Sequence, residues 1–107
     1  MTISNLSRLC SQIRASFPGI DSGKDLSLVL EIGRRQEARE ELTLKQLCLC
    51  GIASSATVRR RLRKLIDKEI VQRNNNRHDG RSVDYSLSDS AARKLKQISR
   101  TARHMAW

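Results

Sequence analysis

Seven basic side chains fall within one short stretch of the chain, residues 54–73, which reads SSATVRRRLRKLIDKEIVQR. Arginine and lysine form charge-assisted hydrogen bonds with phosphate groups, and one arginine can donate two hydrogen bonds to the edge of a guanine. The chemistry that these residue types favour is therefore the binding of a polyanion.

The spacing of the apolar residues predicts that this basic stretch is a helix. They recur at i, i+4, i+7 and i+8, which is one stripe of a helix with 3.6 residues per turn: Val58, Leu62, Leu65 and Ile66. The basic residues off this stripe are Arg59, Arg60, Arg63 and Lys64. Ser54 or Ser55 can act as the N-cap, because a hydroxyl accepts from an early, otherwise unpaired backbone N–H.

The net charge of +10 is concentrated in the same region. Residues 54–81 carry nine Lys/Arg and three Asp/Glu, whereas residues 1–53 carry seven and six. The alternative to a polyanion site is an ordinary solvated helix face. Such faces usually mix both signs of charge, and here acidic residues follow only at Asp67 and Glu69. We therefore favour nucleic acid as the partner.

Other classes of function find little support in the composition. No apolar run approaches the length of a membrane span, and the apolar stripe has no Trp or Phe to insert into a membrane surface. The three aromatic residues, Phe17, Tyr85 and Trp107, are too few for a base-stacking surface. No catalytic triad, carboxylate pair or phosphate-binding loop is present, so we expect neither an enzyme nor a cofactor.

Three cysteines, an odd number, favour a reducing cytoplasm, and we expect a cytoplasmic, nucleoid-associated protein. Cys48 and Cys50 invite a metal hypothesis, but side chains at i and i+2 of a helix point apart and no further ligands complete a site. Cys10 lies on an apolar helix stripe, where packing is the simpler interpretation and redox sensing the alternative.

The remaining elements surround the basic helix. An amphipathic helix is predicted over residues 2–17, with Ser4 as its cap, and a second helix over residues 24–39 with Leu26, Val29, Leu30 and Gly33 facing inward. Residues 42–44 suit a short strand, while Thr43 also suits the cap of a helix over residues 44–50, before a turn at Gly51.

A hairpin and a final helix complete the prediction. The strands are residues 70–74 and 82–87, and apolar and polar residues alternate along the second of them. The helix runs from Ser88 or Asp89 to about residue 105. This order predicts an α+β, mostly helical fold: a winged helix-turn-helix with a two- or three-stranded wing hairpin. We expect one domain over residues 1–107, with its core in residues 24–87.

The sequence also resembles the MarR family of winged-helix regulators, from about Leu26 to Leu95. The matching motifs are Thr57-Val58, Leu65, Ile70-Val71-Gln72-Arg73, Asp79-Gly80-Arg81-Ser82 and Leu87-Ser88. The resemblance implies a transcription regulator on double-stranded DNA, with the basic helix in the major groove and the hairpin, as the wing, in the minor groove. It further implies that Arg81 enters the minor groove and that Asp79, with Gly80, supports the wing.

We expect the DNA-binding side chains to divide by their angle on the helix. The three that face directly away from the apolar stripe should approach bases: Ala56, Arg60 and Arg63. Their neighbours should contact phosphates: Ser55, Thr57, Arg59 and Lys64. Arg77 and Arg81 of the wing complete the expected DNA-binding residues. The alternative function is a winged-helix protein-interaction module within a larger nucleic-acid complex, and a weaker one is structured-RNA binding.

The two terminal helices predict a homodimer. Each carries an apolar stripe, and pairing across a two-fold axis would bury both. The residues expected at this interface are Leu6, Leu9, Ile13, Leu95, Ile98 and Met105. The sequence leaves open whether a small-molecule ligand binds.

Overall fold

The computed structural model describes residues 2–75 and 83–104. Over these ranges the elements are α1 (Ile3–Ser16), α2 (Gly23–Glu37), α3 (Leu44–Leu49), α4 (Ser55–Asp67), β1 (Val71–Asn75), β2 (Val83–Leu87) and α5 (Asp89–Arg103). The two strands form an antiparallel hairpin. The predicted α+β, mostly helical winged helix-turn-helix is confirmed. None of the described helices combines the length and the apolar character that a membrane crossing requires.

The helix boundaries follow from local side-chain chemistry, with one correction at the N-terminus. Thr2, and not Ser4, caps α1: its hydroxyl accepts from Asn5 N at 3.1 Å. Ser4 lies one residue inside the helix, where it cannot take the extended backbone of a cap. Ser54 caps α4 and Ser88 caps α5, as predicted.

The second helix ends earlier than predicted, and its buried face is displaced slightly around the helix axis from the predicted face. It ends at Glu37 because Arg39 adopts a left-handed backbone with φ of 56°, which lets Glu40 N bond Arg35 O in a Schellman-type turn. Its buried face consists of Asp25, Leu28, Val29 and Ile32. The prediction that Leu30 faces inward is wrong: it is 47% exposed.

Thr43 caps α3, as predicted, but the predicted strand over residues 42–44 is reduced to an isolated bridge, because Leu44 already belongs to α3. Its hydroxyl accepts from Gln46 N while the Gln46 side chain accepts from Thr43 N, a capping box that starts α3. Thr43 also forms an isolated bridge with Asp84, next to a hydrogen bond from Tyr85 N to Leu42 O. The N-terminus of α3 is thereby fixed to β2.

One hydrophobic core joins the elements. Leu28, Val29, Ile32, Leu47 and Val58 are at most 1% exposed. Around them, α2 contacts α4 and β2, α3 contacts α4, and α1 packs on α5. The core therefore holds α4 from one side while its other side stays open.

The end of α4 is fixed by two features. Glu69 takes φ of 60°, and Ile70 N bonds Leu65 O, which turns the chain directly into β1. Lys68 Nζ donates to Gly19 O at 2.8 Å and to Asp21 Oδ2 at 2.7 Å. The hydrogen bond from Lys68 holds the pKa of the Asp21 carboxyl below its ordinary value.

This contact predicts an acid dependence of stability. Because the folded-state pKa of Asp21 is lowered, its ionised form contributes stability that is present above the ordinary value of 3.8 and is lost as pH falls through the lowered value. Asp21→Asn should therefore lower Tm at neutral pH and match the wild type in strong acid. Glu41→Gln, an exposed carboxylate with no ion pair among the described residues, is the control. A constant deficit of Asp21→Asn at all pH values would contradict the role of the ion pair.

Candidate nucleic-acid interface

The start of α4 is organised by a hydroxyl pair. Ser54 Oγ accepts from Thr57 N at 3.3 Å and donates to Thr57 Oγ1 at 3.0 Å. Ser55 and Ala56 follow on the exposed surface, whereas Thr57 is half-buried. The cap therefore engages Thr57 Oγ1 as an acceptor but leaves this side chain partly accessible, and Ser55 and Ala56 are exposed.

The two faces of α4 divide as the apolar spacing predicts. Val58, Leu62 and Leu65 are buried, and Ile66 is half-buried against the core. Four cationic side chains are exposed on the remaining surface: Arg59, Arg60, Arg63 and Lys64. With 100° of rotation per residue, Arg60 lies almost directly opposite the buried stripe. The core therefore directs these cations toward solvent.

These four cations differ from the arginines of α2. Arg34 and Arg35 both bind Glu31, at 2.7 Å and 3.1 Å, and Arg35 also binds Glu40. The hydrogen bond from Arg34, followed by that from Arg35, lowers the pKa of Glu31. By contrast, no ion pair among the described residues involves the exposed cations of α4. Their positive charge is available to an external anion.

Arg61 has a different role, which sequence reasoning missed. Its side chain is 24% exposed, and its Nη1 lies 3.8 Å from Oδ2 of Asp25, whose side chain is 2% exposed. Asp25 Oδ2 also accepts from Asp21 N, while Asp25 Oδ1 and Arg61 Nε are buried without a hydrogen-bond partner among the described residues. Arg61 thus neutralises a buried carboxylate and joins α4 to α2. The signal in the sequence was the position of Asp25 on the inward spacing of α2.

A groove at the junction of α4 and the hairpin is the second feature that sequence reasoning missed. It has a volume of about 350 Å³ and is lined by Leu44, Arg59, Leu62, Arg63, Ile66, Arg73 and Tyr85. Arg73 and Tyr85 are paired across the hairpin. We call this site the joint groove. It extends the cationic surface from α4 toward the wing.

The remaining predicted site residues belong to the wing and to the terminal helices. Arg77, Asp79, Gly80, Arg81 and Met105 lie outside the described residues. At the terminal helices, Ile13 and Ile98 are buried within the single chain, and Leu9 and Leu95 are partly buried. Leu6 is 49% exposed, and Ile3, next to it on α1, is 85% exposed. Within the described parts of the two terminal helices, the large exposed apolar side chains therefore lie on the first turns of α1.

The cysteines show no arrangement typical of a metal site. Cys10 and Cys50 are exposed, Cys48 is half-buried, and Cys50 Sγ donates to Leu47 O at 2.9 Å. Within residues 2–75 and 83–104, no group of three or more His, Cys, Asp or Glu could hold a metal ion.

Comparison with known proteins identifies the fold. No protein-family model matches the sequence, and no curated protein matches it significantly. Among solved structures, Staphylococcus aureus MepR in complex with DNA superposes with a TM-score of 0.69 at 17% identity, covering 92% of this chain and 79% of MepR. MepR is a transcription regulator of the multidrug efflux pump MepA.

Two further structures share the fold. ST1889 from Sulfolobus tokodaii gives a TM-score of 0.58 at 21% identity and covers 92% of this chain and 90% of its own. A mutant of Lactococcus lactis ZitR gives a TM-score of 0.61 at 19% identity. The match covers 75% of this chain but only 51% of the length of ZitR. The chain thus has the MarR-type winged helix-turn-helix fold, and the resemblance seen in the sequence is confirmed at the level of the fold.

The contrast between Arg61 and its neighbour Arg60 gives a prediction about stability. Arg61→Met should lower the free energy of unfolding by roughly 1–3 kcal/mol, because the buried Asp25 carboxylate loses its cation. Adding Asp25→Asn should recover part of that loss. Arg60→Met, the exposed control, should change stability by less than about 0.5 kcal/mol. Urea denaturation measures all three variants, and equal stabilities of Arg60→Met and Arg61→Met would exclude the anchoring role.

Proposed function

We propose that this protein is a sequence-specific, double-stranded DNA-binding transcription regulator that inserts α4 into the major groove. The observation that carries the proposal is the exposed cationic face of α4, which no acidic side chain among the described residues neutralises. The fold adds support, because MepR has the same architecture and has been solved with DNA.

The geometry of α4 suits the width of the B-form major groove. An α-helix with its side chains fits this groove, and arginine can read the O6 and N7 acceptors of guanine. Ala56, Arg60 and Arg63 are proposed to face the bases, since their side chains project away from the core. Ser55, Thr57, Arg59 and Lys64 are proposed to contact phosphates on either side.

The wing is proposed to bind the adjacent minor groove. By resemblance to the MarR family, Arg81 is proposed to enter this groove while Asp79 and Gly80 support the wing. Arg77 is a further proposed DNA contact. A minor-groove arginine senses mainly the width and the negative potential of the groove. The wing therefore strengthens binding more than it selects a sequence.

We also propose that the protein acts as a homodimer through its terminal helices. Ile3 and Leu6 expose apolar surface on α1, and α1 packs beside α5. Pairing across a two-fold axis would cover these residues, with Leu9 and Leu95 at the edge of the contact. The two copies of α4 would then read half-sites about 34 Å apart, one turn of DNA.

Separate substitutions distinguish base reading from phosphate binding. A preferred duplex is first obtained by selection from random DNA. Arg60→Ala should then cost about 1–3 kcal/mol on that duplex and much less on random DNA. Arg81→Ala should weaken binding to both and reduce the slope of log affinity against log salt by about one.

Arg100→Gln, an exposed charge on α5, is the control for the loss of one positive charge. Salt titrations with the selected and random duplexes measure each variant. Unchanged affinity of Arg60→Ala and Arg81→Ala for both duplexes would reject DNA binding through this face and favour a protein-interaction module.

The dimer has a matched pair of test substitutions. Leu6→Lys should convert the protein to a monomer, because a charge at the proposed interface must be desolvated. Leu30→Lys is the control, since Leu30 on α2 is 47% exposed and Leu6 is 49% exposed. Light scattering at tens of micromolar gives the mass of each. A wild type that is already a monomer, with one domain bound per DNA site, would refute the dimer.

A further inference from the structure

The joint groove has a composition that α4 alone does not explain. Resting on the proposed function, we infer that it binds one sugar–phosphate unit of the DNA strand that separates the major groove from the minor groove. Arg73 and Tyr85, which lie outside the base-reading set, would be its contacts from the hairpin.

The register of the hairpin places these two residues on one face. Arg73 pairs with Tyr85, and Val71 pairs with Leu87. Because side chains alternate along a strand, all four share the face that carries Val71 and Leu87 into the core. Arg73 and Tyr85 lie farther out along the hairpin, where this face reaches past the core and lines the joint groove.

The lining of the groove combines a cationic rim with an apolar floor. The rim consists of the Arg59, Arg63 and Arg73 guanidinium groups, none of which has an ion pair within the described ranges. The floor consists of Leu44, Leu62, Ile66 and the ring of Tyr85. Three like charges repel one another, so an anion placed between them is favoured, and the apolar floor strengthens that attraction by excluding water.

The sugar–phosphate backbone of a nucleotide matches the cationic rim and the apolar floor of the groove. Its phosphate carries the negative charge, and its deoxyribose presents carbon atoms that can pack on Leu62 and the Tyr85 ring. Tyr85 is only partly buried, and its phenolic hydroxyl is a donor that can bond a phosphate oxygen.

The position of the joint groove favours the DNA backbone, rather than a free anion, as its ligand. In B-form DNA the sugar–phosphate backbone runs along the boundary between the two grooves. A protein with α4 in the major groove and its wing in the minor groove must cross that boundary at the junction of α4 and the hairpin. The joint groove lies at this junction.

The test uses the full-length protein and the duplex obtained by selection. Arg73→Gln should weaken binding roughly tenfold on both the selected and the random duplex, with a salt slope smaller by about one. Arg73→Lys should retain the slope, because it keeps the charge. Tyr85→Phe should lose a few-fold in affinity while preserving the apolar floor, and Arg100→Gln is again the charge control. Circular dichroism checks that each variant is folded.

Single methylphosphonate substitutions in the duplex then locate the contact. In the wild type, neutralising one phosphate between the two grooves should weaken binding, and the same substitution should have no effect in Arg73→Gln. Persistence of that effect in Arg73→Gln, or a sequence-dependent loss in this variant, would overturn the inference while leaving DNA binding intact.

A second arm distinguishes a free anion from the backbone. Inorganic phosphate is titrated into the protein without DNA, at constant ionic strength, and the amide signals of Arg73 and Tyr85 are followed by NMR. No saturable shift is expected, because a lone phosphate lacks the sugar that packs on the floor. Saturable, Arg73-dependent binding would reassign the groove to a small anion. Failure of the wild type to bind any duplex would remove the proposed function, and this inference with it.

Discussion

The burial of one stripe of α4 is the constraint on which the other features depend. Val58, Leu62 and Leu65 are each at most 3% exposed, and burying such a side chain contributes about 1.5–3 kcal/mol. A rotation of α4 by a third of a turn would expose part of this stripe and drive arginines into the core, where an unpaired charge is very unfavourable. The outward direction of Arg60 and Arg63 is therefore a consequence of core packing, and the same packing that stabilises the fold orients the candidate binding surface.

Polar contacts add to hydrophobic packing in fixing α4 against α2 and the loop before it. Arg61 approaches the buried Asp25 carboxylate of α2, and Lys68 binds Gly19 and Asp21 in the loop before α2. These contacts lie near the middle and at the end of α4, and both join it to the same segment of the chain. Neighbouring basic residues on one helix thus have different roles: Arg61 and Lys68 hold the helix, whereas Arg60 and Arg63 remain available to a ligand.

Sequence periodicity predicted the elements well, because burial of one face imposes a period that can be read from the residues. It failed where the outcome depends on a neighbouring element. The cap of α1 fell on Thr2 because two hydroxyl residues compete at that boundary, and Leu30 is exposed because α4 and β2 pack on the adjacent face of α2. The Asp25–Arg61 pair and the Arg73–Tyr85 register required the relative placement of distant segments, which no local pattern specifies.

The proposed DNA-binding surface is formed by α4 and the hairpin, on the side of the molecule opposite the core. The most direct measurement is an NMR titration of the isotopically labelled protein with a random-sequence duplex, which maps backbone amide shifts on every element at once. We expect the large shifts to concentrate in residues 55–64 and in the hairpin, and α1 and the outer face of α5 to change little. Shifts concentrated on α1 and α5, or none in α4, would exclude DNA binding through this surface.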